Sequence, residues 1–173
     1  GAEMEVWRGQ QEGLKVIIVN PGVILGLGFP SQGSGTLFST IKKGLSYYTL
    51  GTTAFIAIPD VINSMYRLMK SDCCNERFTL IAENLVFKDV FFTIADALKV
   101  KRPTRYASPL LTTIAWKIDA FLAFLNLKKR TFSRVTAKAS HSAIPYSNQK
   151  IVSQLEPTFT NIKAYIQEIA PTF

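Results

Sequence analysis

The sequence predicts an α/β fold built around a parallel sheet that this chain contains only in part. Three observations carry that reading. Residues 14–19, Leu-Lys-Val-Ile-Ile-Val, form a short, nearly continuous apolar run rich in β-branched residues, the pattern of a strand buried on both faces and covered by helices. Helix-period and strand-like segments follow one another along the rest of the chain, as α/β layering requires. Those later segments do not supply a full set of strand neighbours for the first one.

The elements follow in order. Residues 2–12 have helical composition but no Ser, Thr, Asp or Asn before them as a cap, so they read as the end of a helix whose start is missing. Gly13 is placed to terminate it in a left-handed conformation. The strand over residues 14–20 runs into Pro21-Gly22-Val23-Ile24-Leu25-Gly26, then a loop dense in Gly, Pro and Ser through Gly35. Residues 36–44 are a short helix with Leu37, Phe38 and Ile41 on one face, and residues 46–50 and 53–58 are short strands around Gly51. Asp60 is positioned to cap a helix carrying Val61, Met65, Leu68 and Met69. Residues 77–81 read as a further strand, and Phe87, Val90, Phe91, Ile94 and Leu98 recur at helical spacing. Ser108-Pro109 opens a long helix to about residue 127. Shorter helices follow over residues 134–140 and 147–155, and a last one over 160–169 carries Ile162, Tyr165, Ile166 and Ile169.

Composition bounds the function. A chain of 173 residues suits one domain with a real core. Its charged fraction of 18% is low for an independent surface and hints at a covered face. The formal net charge is +8, with basic groups at Lys42-Lys43, residues 99–105 and residues 128–130. These sit at expected helix ends and loops without aromatic platforms, so no nucleic-acid partner is expected. The two cysteines, Cys73 and Cys74, are adjacent and badly placed for a disulfide, and one histidine, His141, makes no zinc site. Reduced thiols and no visible signal peptide point to the cytoplasm. Residues 110–127 are the most apolar stretch, but Lys117 and Asp119 interrupt it. That excludes a bilayer span and favours an amphipathic helix. Peripheral membrane contact is the least favoured reading.

Motifs for chemistry are few. Gly26-x-Gly28-x-x-Ser31 follows a strand, but Pro30 interrupts it and its last glycine is absent. A dinucleotide fingerprint needs a tight turn straight from strand into helix, so the glycines read as shaping a substrate-side loop. His141, in a Ser/Ala-rich segment, reads as a surface residue. Tyr146 and Lys150 stand four apart, yet Pro145 and Ser147 put the pair across a helix start, and the reading is structural.

Several segments, taken in order, resemble a known family. They are Ala2-Glu3 in a helix, Gly13 through Gly26, Gly33-Ser34-Gly35, Gly51 through Phe55 to Asp60-Val61, Arg77 through Leu85, and Tyr146-Ser147-Asn148-Gln149-Lys150. Together they are similar to the C-terminal half of extended short-chain dehydrogenases/reductases, the NAD(P)-dependent epimerase/dehydratase and dihydroflavonol-reductase-like group. The resemblance spans nearly the whole chain. It implies the last strands of a Rossmann-type parallel sheet plus a small, mainly helical substrate-binding region, with the N-terminal dinucleotide-binding half absent. Residues 1–35 would then hold the last turn of the catalytic helix, a sheet strand and the active-site loop. Residues 36–173 would form the substrate-binding region, with one further sheet strand near 77–81.

By that resemblance the catalytic tyrosine and lysine fall before residue 1, so no catalytic residue is assigned within the chain. The tyrosine would act as acid/base with a pKa lowered by the lysine. Pro21 and Ile24 resemble the loop that meets the nicotinamide, and Thr36 (or Ser34) resembles a hydroxyl near the cofactor's far edge. Asn20, Gly22 and Val23 would line the substrate. The implied cofactor is NAD or NADP in the full-length parent, with none bound tightly by the fragment. The implied partners are a small-molecule substrate, the missing N-terminal half and a second copy in a homodimer. Nucleotide-sugar enzymes often carry an arginine before the strand that holds Phe55 and Ile56. This chain has Thr52-Thr53-Ala54 there, which tilts the expectation toward a less charged carbonyl substrate. The implied activity is oxidoreduction or epimerisation at a secondary alcohol or ketone, of a sugar nucleotide or dihydroflavonol-like carbonyl. The alternative is a non-catalytic ligand- or protein-binding module on the same scaffold.

Overall fold

A computed structural model describes residues 1–27, 29–124 and 133–173. The strands are β1 (Ile17–Pro21), β2 (Val23–Leu25), β3 (Tyr47–Tyr48), β4 (Thr52–Ala57), β5 (Glu76–Leu80), β6 (Glu83–Val86) and β7 (Arg105–Tyr106). The helices are α1 (Ala2–Gln11), α2 (Gly35–Lys42), α3 (Ile58–Lys70), α4 (Phe87–Ala97), α5 (Pro109–Phe124), α6 (Arg134–Ala139), α7 (Gln149–Leu155) and α8 (Ile162–Ile169).

Strand β1 pairs in parallel with β5, from Ile17 opposite Glu76 to Pro21 opposite Leu80. The chain then crosses to a second sheet of order β2-β4-β6, in which β2 runs parallel and β6 antiparallel to β4. A short parallel pair, β3 with β7, lies apart from both. Alternation along a strand sends neighbouring side chains to opposite faces, and β4 shows what that builds. Phe55 and Ala57 enter a core with Leu25, Phe38, Ile41, Val90, Ile94 and the inner face of α8. Ile56 points the other way, into a core with Val61, Leu68, Phe78, Leu80, Ile151 and Leu155. The three-stranded sheet therefore stands between α2, α4 and α8 on one side and α3, α7 and the β1–β5 pair on the other.

Local signals hold where they are strong. Gly13 adopts φ +98°, as the helix stop requires. In α8 the four residues Ile162, Tyr165, Ile166 and Ile169 are all buried. The Ser108 hydroxyl accepts the Leu111 N–H at 3.3 Å at the start of α5. The predicted continuation of that helix to residue 127 lies outside the described residues.

Four expectations change. The first strand begins later than residue 14, at Ile17, and it is not buried on both faces: Ile17 and Val19 pack on the second core, while Asn20 and Pro21 are exposed. The reason is that, among the described residues, its only ladder partner is β5. Asp60 does not cap α3, which starts two residues earlier at Ile58. Its carboxylate instead accepts the Thr160 N–H at 2.8 Å and the Thr160 hydroxyl at 3.0 Å, tying α3 to the entry of α8. Met65 and Met69, expected on the buried face with Val61 and Leu68, point outward. Strands β6 and β7 were not distinguished as separate sheet elements from sequence, whereas β3 falls within the strand expected over residues 46–50.

Candidate functional site

The site is built where β1 ends. The Gly22 N–H donates to the Leu80 carbonyl at 2.9 Å, and the next residue, Val23, already pairs with Phe55 of β4. Gly22 is thus the step between two sheets. A Cβ there would lie 2.6 Å from the Ala54 carbonyl oxygen, so only glycine lets the two backbones approach. The step leaves Asn20 and Pro21 exposed at the C-terminal end of the β1–β5 pair. A crevice outside the carboxyl ends of parallel strands is where ligands sit in open α/β sheets.

Behind that end lies a small apolar cavity of about 330 Å³, bounded by Ile24, Gly26, Phe29, Ser34, Gly35 and Ile58. A second, larger cleft of about 550 Å³ is walled by Thr36, Ile41, Tyr48, Phe87, Phe91 and Thr112. A third, of about 420 Å³, opens beside Thr52, Thr53 and Tyr146, with Arg134 and Lys138 on its rim. Phe87 and Ala139 wall both the second and the third. The two clefts adjoin at that wall, the larger mainly apolar and the other bearing the cations near the start of β4. Adjoining clefts of that kind suit a ligand with an apolar body and an anionic end.

The sequence-predicted residues do not all meet. Asn20 and Pro21 flank the strand end, Gly22 is the step, and Ile24 lines the small cavity. Val23 turns its side chain into the first core, beside Leu25 and Phe55. Thr36 faces the larger cleft, away from Ile24, and its hydroxyl donates to the Gly33 carbonyl at 2.7 Å. Arg134 and Lys138 carry no motif. They reach Thr52 and Thr53 only because the α5–α6 pair folds back over the start of β4, so sequence reading had no signal for them. They restore positive charge where the expected arginine is replaced by Thr52-Thr53-Ala54.

The remaining candidates have structural partners. Lys150 bonds the Glu76 carboxylate and sits 5.0 Å from the centre of the Phe78 ring, while Tyr146 is held by Asn84 through its backbone at 2.9 and 3.0 Å. These two residues share no site. A second Tyr–Lys pair at the same spacing, Tyr66 and Lys70, was overlooked in the sequence. It is a cation–π contact at 5.9 Å on the outer face of α3. His141 is half-buried rather than a surface residue, with Nε2 2.9 Å from the Thr112 hydroxyl. Among the described residues no group of three His, Cys, Asp or Glu side chains could hold a metal ion.

A dinucleotide cradle was tested against the same geometry. Strand β2 ends at Leu25 and α2 begins at Gly35, so strand does not turn directly into helix, and Gly28 lies outside the described residues. The residues present do not fit the pyrophosphate of such a cofactor.

No family model and no curated protein sequence matches the chain. Solved structures do. A nucleoside-diphosphate-sugar epimerase from Pseudomonas aeruginosa superposes with a TM-score of 0.76 at 19% identity, over 99% of this chain and 52% of its own. A dTDP-glucose 4,6-dehydratase from Bacillus anthracis, solved with NAD, gives 0.67 at 12% identity, over 99% of this chain and 48% of its own. A human epimerase family protein, solved with NADPH, gives 0.67 at 15% identity, over 91% of this chain and 48% of its own. The chain spans about half the length of each of these proteins. Its fold is that of one half of these α/β structures, with part of a parallel sheet and a small helical lobe.

Proposed function

We propose that the chain is the substrate-binding, C-terminal portion of an NAD(P)-dependent oxidoreductase or epimerase acting on a secondary alcohol or ketone. The observation that carries this reading is the open edge of β1. The parallel strand β1 has one described neighbour, and a further strand on its other edge would complete a sheet of the epimerase type, with a ligand crevice expected beyond its C-terminal end. Helix α3 adds support, because it packs on β1 yet turns Ile58, Ile62, Met65 and Met69 outward. A covering half would bury that row.

In such a protein the cofactor supplies hydride transfer at nicotinamide. The residues of this chain bind and orient the substrate: Asn20 and Pro21 at the strand end, the Phe87–Ala139 walls along its body, and Arg134 with Lys138 at an anionic end. These cations reverse the tilt toward an uncharged carbonyl and favour a substrate carrying a phosphate or diphosphate, as in a sugar nucleotide. The test compares this chain with the product of the complete reading frame around it. The longer protein is expected to bind NADH or NADPH and to reduce or epimerise a nucleotide sugar, whereas this chain alone does neither. Tight nicotinamide binding by this chain alone would sink the proposal. So would a longer protein that lacks the upstream Tyr–Lys pair and ignores both cofactors.

A further inference from the structure

Helix α5 is packed inside out. Its buried face holds Thr112 and Asp119, 7% and 5% exposed, whereas Leu110, Ile114, Ile118 and Phe121 stand 46–71% exposed. At 3.6 residues per turn those four side chains fall in one row along the helix. Leu111, 40% exposed, borders the row on one side, and Lys117 borders it on the other. The helix packs on α6, whereas the β1 edge packs with β5 and α3. The row therefore lies on a different element from the open strand edge. A helix that buries Thr and Asp and presents aliphatic and aromatic side chains matches an apolar environment beyond the protein.

Charge says which. From Lys99 to Leu155 the sequence carries eleven Lys or Arg and one acidic residue, Asp119, with Arg102 and Lys150 paired to Asp96 and Glu76 from outside that stretch. The basic groups that look scattered along the whole chain are concentrated in the segment that bears the row. Lys117 also shares a cleft of about 630 Å³ with Arg134 and Lys138, against Trp116. A second copy of the chain would bring like charges together. A nucleic acid would meet a row of three aliphatic side chains with Phe121 as its one aromatic, a poor stacking platform. An anionic lipid surface satisfies both the row and the charge. No described helix is long and apolar enough to cross a membrane, which suits a helix lying flat.

We propose that α5 lies in the interface of an anionic membrane, with Leu110, Ile114, Ile118 and Phe121 in the acyl boundary and Lys117 at the lipid phosphates. This goes beyond the chemistry proposed above and does not depend on it.

The test is vesicle co-sedimentation of the full chain. Vesicles of phosphatidylglycerol mixed with phosphatidylcholine are compared with phosphatidylcholine alone. Binding to the anionic vesicles is expected, weakening as salt rises. Lys117→Gln lowers partition about fivefold, and Ile118→Ser with Phe121→Ser lowers it on the order of tenfold or more. Ile62→Ser with Met69→Ser, on the exposed face of α3, leaves it unchanged. Circular dichroism checks that each variant is folded, and Lys117→Gln alone decides if the double row variant is not. The proposal is overturned if the chain ignores anionic vesicles, if the α5 variants bind as the parent does, or if the α3 variant loses as much binding. It is also overturned if the row variant turns a self-associated chain into a monomer while vesicle binding stays the same.

Discussion

Asp60 joins two parts of the molecule with one carboxylate, since both of its oxygens accept from Thr160, a hundred residues along the chain. Asp60→Ala leaves the Thr160 N–H without its partner and should cost about 1–3 kcal/mol. A lowered urea midpoint with unchanged slope would report it. Gly22→Ala should cost a similar amount, about 1–3 kcal/mol, because its Cβ would meet the Ala54 carbonyl and push two sheets apart. Thermal unfolding of the two proteins side by side checks that. Tyr165 holds its proton above the ordinary phenol range, mainly because it is buried and secondarily because the charges of Glu168 and Asp60 lie near. The folded state thus binds this proton more tightly than the unfolded state. The contribution is intact below about pH 10, the unfolded value, and is lost as pH rises through the folded one. Tyr165→Phe should flatten the alkaline limb of a stability–pH curve and leave its acid limb alone.

Helix α8 was legible because a 3.6-residue period is local information, and its four apolar positions all found the core. Removing one should be felt: Ile166→Ala is expected to cost about 2–5 kcal/mol, read as a lower midpoint in denaturant. The run at residues 14–19 was legible as a strand for the same reason, although its paired portion is displaced toward Pro21. Strands β6 and β7 were not, because each is short and largely unburied, and its identity comes from a distant partner rather than its own alternation. The site divides along the same line. Asn20, Pro21 and Ile24 stand near the strand end that carries them. The cleft's cations, Arg134 and Lys138, depend on a helix pair folding back over β4, and no local pattern encodes that. The outward face of α5 was hidden too, since periodicity locates an apolar row without saying whether it points in or out.

At the scale of the molecule, the open edge of β1 leaves a row of backbone groups without ladder partners among the described residues, and Ile18 joins neither core. Unpaired strand edges invite pairing with another chain. The chain in isolation should therefore associate as its concentration rises, and Ile18→Lys should reduce that association. Light scattering that finds one monodisperse monomer at every concentration would argue against an adhesive edge. It would also weaken the case that a further strand belongs there.

The pairing of β1 with β5 also dictates an order of events. A hydrogen bond from the Val16 N–H to the Asn75 side chain, at 3.3 Å, closes a loop 59 residues long, and that loop holds the whole of β2, α2, β4 and α3. A contact so remote in sequence returns little until the intervening segment has shrunk. The segment between them must therefore condense before the outer pair zips. During refolding the amides of the first strand should gain protection from hydrogen exchange after those of α3.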